Sequence, residues 1–350
     1  MKIAFLNLYA GSVQRGAETF TEALAKRITR EHEVEWYKGY SEALPLHQFP
    51  KNILRSLQKH CFLDRANRAV LRFSLKTLSS LRQGNFDVVV PMNGFWQVLL
   101  VKLLQPFKKY QILIIGHAGP GWDERFNLYL HPDVFVATTQ PAYEWAKHTC
   151  PWTRMELVPY AVSETKFKAA KPVKIPLKKP IILCPAALVP YKRIELAIEA
   201  VARLKSASLL ILGQGPLEEK LQKLGKEKLA NRWLLTSVSH DRIPDYYATA
   251  DLVTLPSLLQ ENSPMVFLES LAAGKLVVTT DTQRNRWMLE KAGIYCDPMN
   301  LKEYTNALAL GLQRKDEART KTAAISALVK FQWATVEKSY QRILTSLNHH

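Results

Sequence analysis

The sequence predicts a two-domain α/β protein in which each domain is a doubly wound, mostly parallel sheet with helices on both faces. Three observations carry this. The chain has 350 residues, too many for one ordinary core and enough for two domains of about 150–175 residues. Short apolar, β-branched runs alternate with helical patterns from one end to the other. Between the halves lies "TKFKAAKPVKIPLKKP", residues 165–180, with six lysines, three prolines and no acid. That is the composition of an exposed linker, so the expected domains are 1–165 and 180–330.

Taken in order, the first run, "MKIAFLNLYAG", lacks the basic leading region of a signal peptide and reads as a first strand at 2–8. Further strands are expected at 33–37, 87–90, 111–115 and 133–138. In the second half strands are expected at 181–184, 208–212, 233–236, 252–255, 276–280 and 294–296. Helices are expected there at 192–205, 216–229, 243–249, 264–273, 284–291 and 301–313. Open α/β sheets bind ligands at the carboxyl ends of their strands. Two such domains facing each other would place a site in the cleft between them.

Composition narrows the function. Hydrophobic residues make up 47% of the chain, ample for two large cores. No run reaches the roughly 18 uncharged apolar residues of a membrane span. Cys61, Cys150, Cys184 and Cys296 lie far apart and form no CxxC pair, which reads as free thiols in a reducing cytoplasm. The net charge of +17 favours an anionic partner. No Asp-x-Asp pair and no His/carboxylate cluster at ligand spacing is present, so no metal is expected.

Five stretches can carry chemistry. In "ENSPMVFLE", residues 261–269, Ser263 reads as a helix N-cap and Pro264 as the first helical residue. The free amides of Met265 and Val266 then form an anion site. Glu269 lies roughly 7–8 Å further along the axis, on the side of Met265. Phosphates at the helix start and ribose hydroxyls at Glu269 would fit that spacing, with Glu261 and its neighbour Asn262 reaching a sugar beyond. The plainer reading, two solvated charges, stands at even odds, although Glu269 sits in a largely apolar helix. In "IILCPAALVPYKRIELAIEAVARL", residues 181–204, Lys192 and Arg193 stand at a loop–helix junction. Cations there oppose the helix dipole unless they serve an anion; the alternative is a pair of surface cations. In "LLILGQGPLEEKL", residues 209–221, Gly213 and Gly215 follow a strand, but Glu218 occupies the third glycine position of a dinucleotide fingerprint. They are either a plain turn or a place where a base or ribose approaches the backbone. In "YAGSVQRGAETF", residues 9–20, Gly11 and Gly16 have phosphate-loop spacing, but Ala17-Glu18 replaces the Lys-Ser/Thr pair. In "QILIIGHAGPGWDERFNLY", residues 111–129, His117 ends a strand before a glycine-rich loop, where it is either a core histidine or a contact for a substrate hydroxyl.

Together with "LVPYAVSETKF" (157–167), "YYATADLVTLPS" (246–257) and "FQWATVEKSYQRIL" (331–344), these stretches resemble family 4 of the retaining glycosyltransferases with the GT-B fold. The resemblance runs over nearly the whole chain in the right order. It implies a nucleotide-sugar donor and no other cofactor; a UDP-sugar is favoured over a GDP-sugar, though the sequence does not name the base. It implies that a helix near 332–348 returns to the N-terminal, acceptor-binding domain. Glu261 would contact the donor sugar, Glu269 the ribose, Lys192 the diphosphate, and His117 would lie beside the reacting sugar. The sequence departs from the family at Ala187, where an arginine is usual, and at Arg15, where a glycine is usual. Arg15 is the expected substitute for the missing cation.

A glycan or lipid-linked acceptor follows. Residues 51–82 carry eight Lys/Arg and one acid, with Arg65, Arg68, Arg72 and Lys76 forming one helical stripe opposite Leu63, Val70, Leu78 and Leu81. Besides a plain solvated stripe, this is a candidate face for anionic membrane lipid, which would make a cytoplasmic protein peripheral to the membrane. Two rivals stay open. One is a sugar-nucleotide-binding subunit weakened by Ala187. The other is a nucleic-acid-binding protein, against which stands the lack of any compact nucleic-acid motif.

Overall fold

A computed structural model of the chain describes residues 1–10, 16–39, 60–257 and 261–348. The chain divides into two compact units, Met1–Tyr160 with Val336–His350, and Ala161–Thr335. Each unit is built on one six-stranded sheet whose strand pairs are all parallel.

The first unit runs β1 (Lys2–Asn7), α1 (Gly16–Ile28), β2 (Glu33–Lys38), α2 (Arg65–Gln83), β3 (Val88–Pro91), α3 (Phe95–Lys108), β4 (Gln111–Gly116), α4 (Trp122–Tyr129), β5 (Val134–Ala137), α5 (Gln140–Thr149) and β6 (Arg154–Leu157). The sheet order is β2-β1-β3-β4-β5-β6, so the winding reverses between β1 and β3. Central strands such as Val88–Pro91 are buried along their whole length. They are apolar without alternation because helices cover both faces. α1 buries Phe20, Leu24 and Ile28 at four-residue steps, and Phe20 stacks on Tyr160. β6 was not expected from the sequence. Its residues, "RMEL", are exposed or half-buried at the sheet edge, where Arg154 pairs with Glu156 at 2.8 Å. Its charged and apolar residues do alternate, but over only four positions, too short a run to stand out as a strand.

α2 starts at an Asp64 cap whose Oδ1 accepts from Ala66 N at 2.9 Å and Asn67 N at 3.2 Å. It buries Val70, Phe73 and Leu81 and leaves Arg65, Arg68, Arg72 and Lys76 exposed. Leu63, expected on the apolar side, is 50% exposed, because it precedes the cap and lies outside the helix. Residues 51–59 of that expected stripe lie outside the described residues.

The second unit runs α6 (Glu164–Lys168), β7 (Ile181–Pro185), α7 (Ile194–Ala202), β8 (Ser208–Leu212), α8 (Glu218–Leu229), β9 (Trp233–Thr236), α9 (Ile243–Thr249), β10 (Leu252–Leu255), α10 (Met265–Ala272), β11 (Val277–Thr280), α11 (Gln283–Leu289), β12 (Gly293–Cys296), α12 (Leu301–Arg314) and α13 (Ala318–Leu328). Its order, β12-β11-β10-β7-β8-β9, is that of dinucleotide-binding sheets, with the reversal between β7 and β10. The lysine- and proline-rich stretch belongs to this unit and is tied to α9. Lys171 N donates to Asp245 Oδ1 at 3.2 Å and Val173 N to Thr249 Oγ1 at 2.9 Å. Two of its backbone donors are thereby satisfied.

The last helix, α14 (Trp333–Leu347), joins the first unit. Glu337 reaches Arg27 at 3.6 Å, Gln341 Oε1 pairs with His32 Nε2 at 3.0 Å, and Arg342 donates to Glu156 at 3.0 Å. The four cysteines are unpaired. Among the described residues no helix is long and apolar enough to cross a membrane.

Candidate functional site

In the second unit the chain leaves β7 through Ala186–Val189 into a single helical turn, Pro190–Lys192. It leaves β10 toward Glu261. These two strands flank the reversal, so the two loops open into the crevice between them. There Lys192 Nζ meets Glu261 Oε2 at 2.7 Å, with side chains only 11% and 9% exposed. Glu261 Oε1 is buried without a hydrogen-bond partner among the described residues. An ion pair this buried is held by mutual need: either charge alone would be costly. Half of the carboxylate's accepting capacity remains for a ligand.

The loop after β8 fixes the Lys192 loop from behind. Ala186 N donates to Leu212 O, Leu188 N to Gln214 O and Leu217 N to Leu188 O, each at 3.0 Å. The close approach expected at Gly213 and Gly215 is made by the protein itself. A Cβ on Gly213 would lie 2.0 Å from the Ala186 carbonyl oxygen, and one on Gly215 2.7 Å from that of Leu188. These glycines shape the Lys192 loop.

Arg193 is not brought to the pair. Its backbone is left-handed, φ 53°, which ends the Lys192 turn and starts α7 at Ile194, two residues later than expected. Its side chain is held by Glu195 at 3.4 Å and by Met299 Sδ at 2.8 Å.

Ser263 is not the N-cap of the next helix. Pro264 takes that place with ψ 114°, outside the helical range, and α10 begins at Met265. Ser263 therefore sits one residue too early to cap, and its buried hydroxyl has no partner among the described residues. The amides of Met265 and Val266 still stand at the helix start, where an α-helix has no acceptors of its own. Asn262 is buried beside Glu261. Glu269 is buried in α10, and its Oε2 accepts from the Tyr247 hydroxyl at 2.7 Å. Burial raises its pKa, and the Tyr247 bond opposes the rise. Among the described residues no contact joins Glu269 to the Lys192–Glu261 pair.

Sequence reasoning missed Arg284 and Asn285. Arg284 is buried, 9% exposed, in the first turn of α11 after β11. Desolvation lowers its pKa and the Glu261 charge opposes this, so the two groups lie within electrostatic reach. Its Nε donates to Asn285 Oδ1 at 2.9 Å. Asn285 is anchored in turn, donating to Thr280 O at 2.8 Å. The available signal was the one used for Lys192: a cation just past a strand's carboxyl end.

In the first unit His117 follows β4. Its Nδ1 pairs with the Tyr160 hydroxyl at 2.5 Å. The ring is half-buried, and desolvation pushes its pKa down to about 4, which keeps it neutral at physiological pH. Glu124, also unforeseen, is buried beneath the same loop. It accepts from Ala118 N and Asn127 Nδ2, both at 3.1 Å, and burial pushes its pKa up to about 7. Gly16 opens α1, and Arg15 lies outside the described residues.

With this geometry in hand, known proteins are informative. Residues 165–326 match the family model of glycosyl transferases group 1. The match supports a group 1 glycosyltransferase. It contains Lys192, Glu261, Glu269 and Arg284. Over 204 residues the chain is 28% identical to a GDP-mannose-dependent alpha-(1-6)-phosphatidylinositol monomannoside mannosyltransferase of Mycobacterium tuberculosis, covering 52% of this chain and 53% of that protein. The chain thus spans between about a third and half of the length of the curated relatives it matches, 53% in this case and 36% for an alpha-D-kanosaminyltransferase of Streptomyces kanamyceticus. The fold is shared with solved structures over 99% of the chain: sucrose-phosphate synthase from Thermosynechococcus elongatus (TM-score 0.79, 16% identity, 99% of that chain) and Anabaena HepE in complex with UDP (TM-score 0.71, 16% identity, 100% of that chain). The architecture is the two-domain α/β arrangement of GT-B glycosyltransferases.

Proposed function

We propose that the protein is a retaining glycosyltransferase of family 4 that moves a sugar from a nucleotide-sugar to a hydroxyl of a glycan or lipid-linked acceptor, in cell-envelope polysaccharide or glycoconjugate synthesis. One observation carries the reading: the buried Lys192–Glu261 pair at the reversal of a dinucleotide-type sheet, inside the segment that matches the family model. The bond from the sugar's anomeric carbon to the phosphate oxygen breaks, and one to the acceptor oxygen forms on the same face. The acceptor's proton passes to the departing phosphate. Negative charge grows on the leaving diphosphate, and Lys192 with the amides of Met265 and Val266 neutralises it without a metal. Glu261 holds the donor sugar, Glu269 the ribose, and neutral His117 a sugar hydroxyl. The donor is taken to be a UDP-sugar. The exposed stripe Arg65, Arg68, Arg72 and Lys76 supports an acceptor at an anionic membrane surface.

The test is a panel of UDP- and GDP-sugars, scored for thermal shift and then for donor hydrolysis without acceptor. One donor should stabilise the protein and be turned over, with the anomeric configuration retained in the product. Binding without turnover would leave a sugar-nucleotide-binding subunit. Neither binding nor turnover across the panel would overturn the reading.

A further inference from the structure

The second unit's crevice holds more positive than negative charge. Glu261 interacts with two cations, Lys192 at 2.7 Å and Arg284 within electrostatic reach; Lys192 and Arg284 are each 9% exposed, and so is the Glu261 side chain. One carboxylate balances one of them. A buried cation without a counter-charge is unfavourable unless an anion completes it.

We propose that Lys192 and Arg284 form a two-cation site for a diphosphate, with Asn285 as the residue that aims Arg284. The proposal rests on the glycosyltransferase reading for the identity of its natural ligand, the diphosphate of a nucleotide-sugar. Topology supports it. Lys192, Glu261 and Arg284 follow β7, β10 and β11, three neighbours in the sheet, so one anion lying across their carboxyl ends meets all three loops. Hydrogen bonding supports it as well. Asn285 engages only the Nε of Arg284. No ion pair or hydrogen bond holds the two terminal nitrogens among the described residues. Those nitrogens form the planar fork that binds two phosphate oxygens at once. Asn285 is itself fixed by Thr280 O at 2.8 Å and by Thr279 Oγ1 at 3.3 Å, and its amide N donates to Thr282 Oγ1 at 3.1 Å. The fork is thus pre-oriented by the end of β11. Glu261 keeps the two cations together while the site is empty.

The site also answers the departure at Ala187. Ala187 is exposed, and the cation that its position lacks is supplied from another strand. Arg15 is then not required as a substitute.

The experiment is calorimetric titration of the whole protein with inorganic pyrophosphate, UDP and uridine, on wild type, Arg284→Met, Arg284→Lys and Asn285→Ala. Arg284→Met should weaken pyrophosphate and UDP by about 10- to 100-fold and leave uridine unchanged. Arg284→Lys, which restores charge without the fork, should recover only part of the loss. Asn285→Ala should weaken pyrophosphate less than Arg284→Met and leave uridine unchanged. Far-ultraviolet dichroism and urea midpoints confirm that each variant is folded. Should Arg284→Met misfold, Arg284→Lys and Asn285→Ala still decide the question. Unchanged pyrophosphate affinity in the folded variants overturns the proposal, whatever the donor assays give. Arg284-dependent pyrophosphate binding in a protein that turns over no nucleotide-sugar would uphold the site and overturn the glycosyltransferase reading instead.

Discussion

Where the second sheet reverses, between β7 and β10, Lys192 meets Glu261 at 2.7 Å and Arg284 adds a further cation. Where the first sheet reverses, between β1 and β3, the loops are tied by neutral amides. Asn93 Oδ1 accepts from Leu8 N at 2.6 Å, and Gln97 Oε1 from Met92 N at 2.7 Å and Asn93 N at 2.9 Å. One strand further along, burial drives both His117 and Glu124 toward their uncharged forms. The two units share a winding principle and a crevice at the strand ends. Side-chain chemistry then separates them: the second crevice gathers charged side chains, and the first gathers neutral ones.

The largest effect that would sharpen this contrast is expected at Lys192. Lys192→Met takes from Glu261 its direct ion-pair partner, with Arg284 left only within longer electrostatic reach, and should destabilise the second unit by up to about 3–5 kcal/mol. That corresponds to a fall in its unfolding temperature of roughly 10 °C, readable by scanning calorimetry. The double variant Lys192→Met with Glu261→Gln should recover much of the loss. A single variant that melts like wild type would mean that the pair is not truly excluded from water.

A smaller effect is expected at Glu269. Tyr247→Phe removes the only protein donor to its carboxylate seen among the described residues and should lower stability by about 1–3 kcal/mol. Glu269→Ala should weaken nucleotide affinity by about 10- to 100-fold if it holds the ribose. If Glu269→Ala loses stability while nucleotide affinity stays at the wild-type value, Glu269 serves only to anchor Tyr247.

The smallest effect concerns pH and the first unit. Glu124 has its pKa raised from 4.5 to about 7, so it binds its proton more tightly folded than unfolded. Its contribution to stability is complete below 4.5 and is lost as pH rises toward 7. His117 is lowered from 6.5 to about 4, which gives the opposite slope: complete above 6.5 and lost as pH falls toward 4. The two nearly cancel between 4.5 and 6.5. In Glu124→Gln only the His117 slope remains. Urea unfolding from pH 4 to 8 should show the difference between wild type and variant moving against wild type as pH rises through that window. A difference independent of pH would show that Glu124 stays ionised, and the neutral character of this loop would fail with it.

The sequence by itself determined the alternation of strand and helix and the approximate position of nearly every second-half element. Those features are local: apolar runs of strand length, helical periods and turn residues are written in neighbouring positions. It also marked Lys192, Glu261 and His117, which sit at strand ends or loop–helix junctions, and Glu269, a carboxylate inside a largely apolar helix. It missed β6, whose polar–apolar alternation lasts only four residues, and it misjudged the helix start at Pro264, where a single ψ of 114° outweighed a favourable Ser-Pro pair. Tertiary structure alone decided which candidates meet. Lys192 and Glu261 are 69 residues apart in the chain and touch only because β7 and β10 are neighbours in the sheet. Arg284 looked like one more surface cation of a strongly basic chain until burial and Asn285 set it apart. Strand order is a non-local property, and the depth at which a charge is buried follows from it.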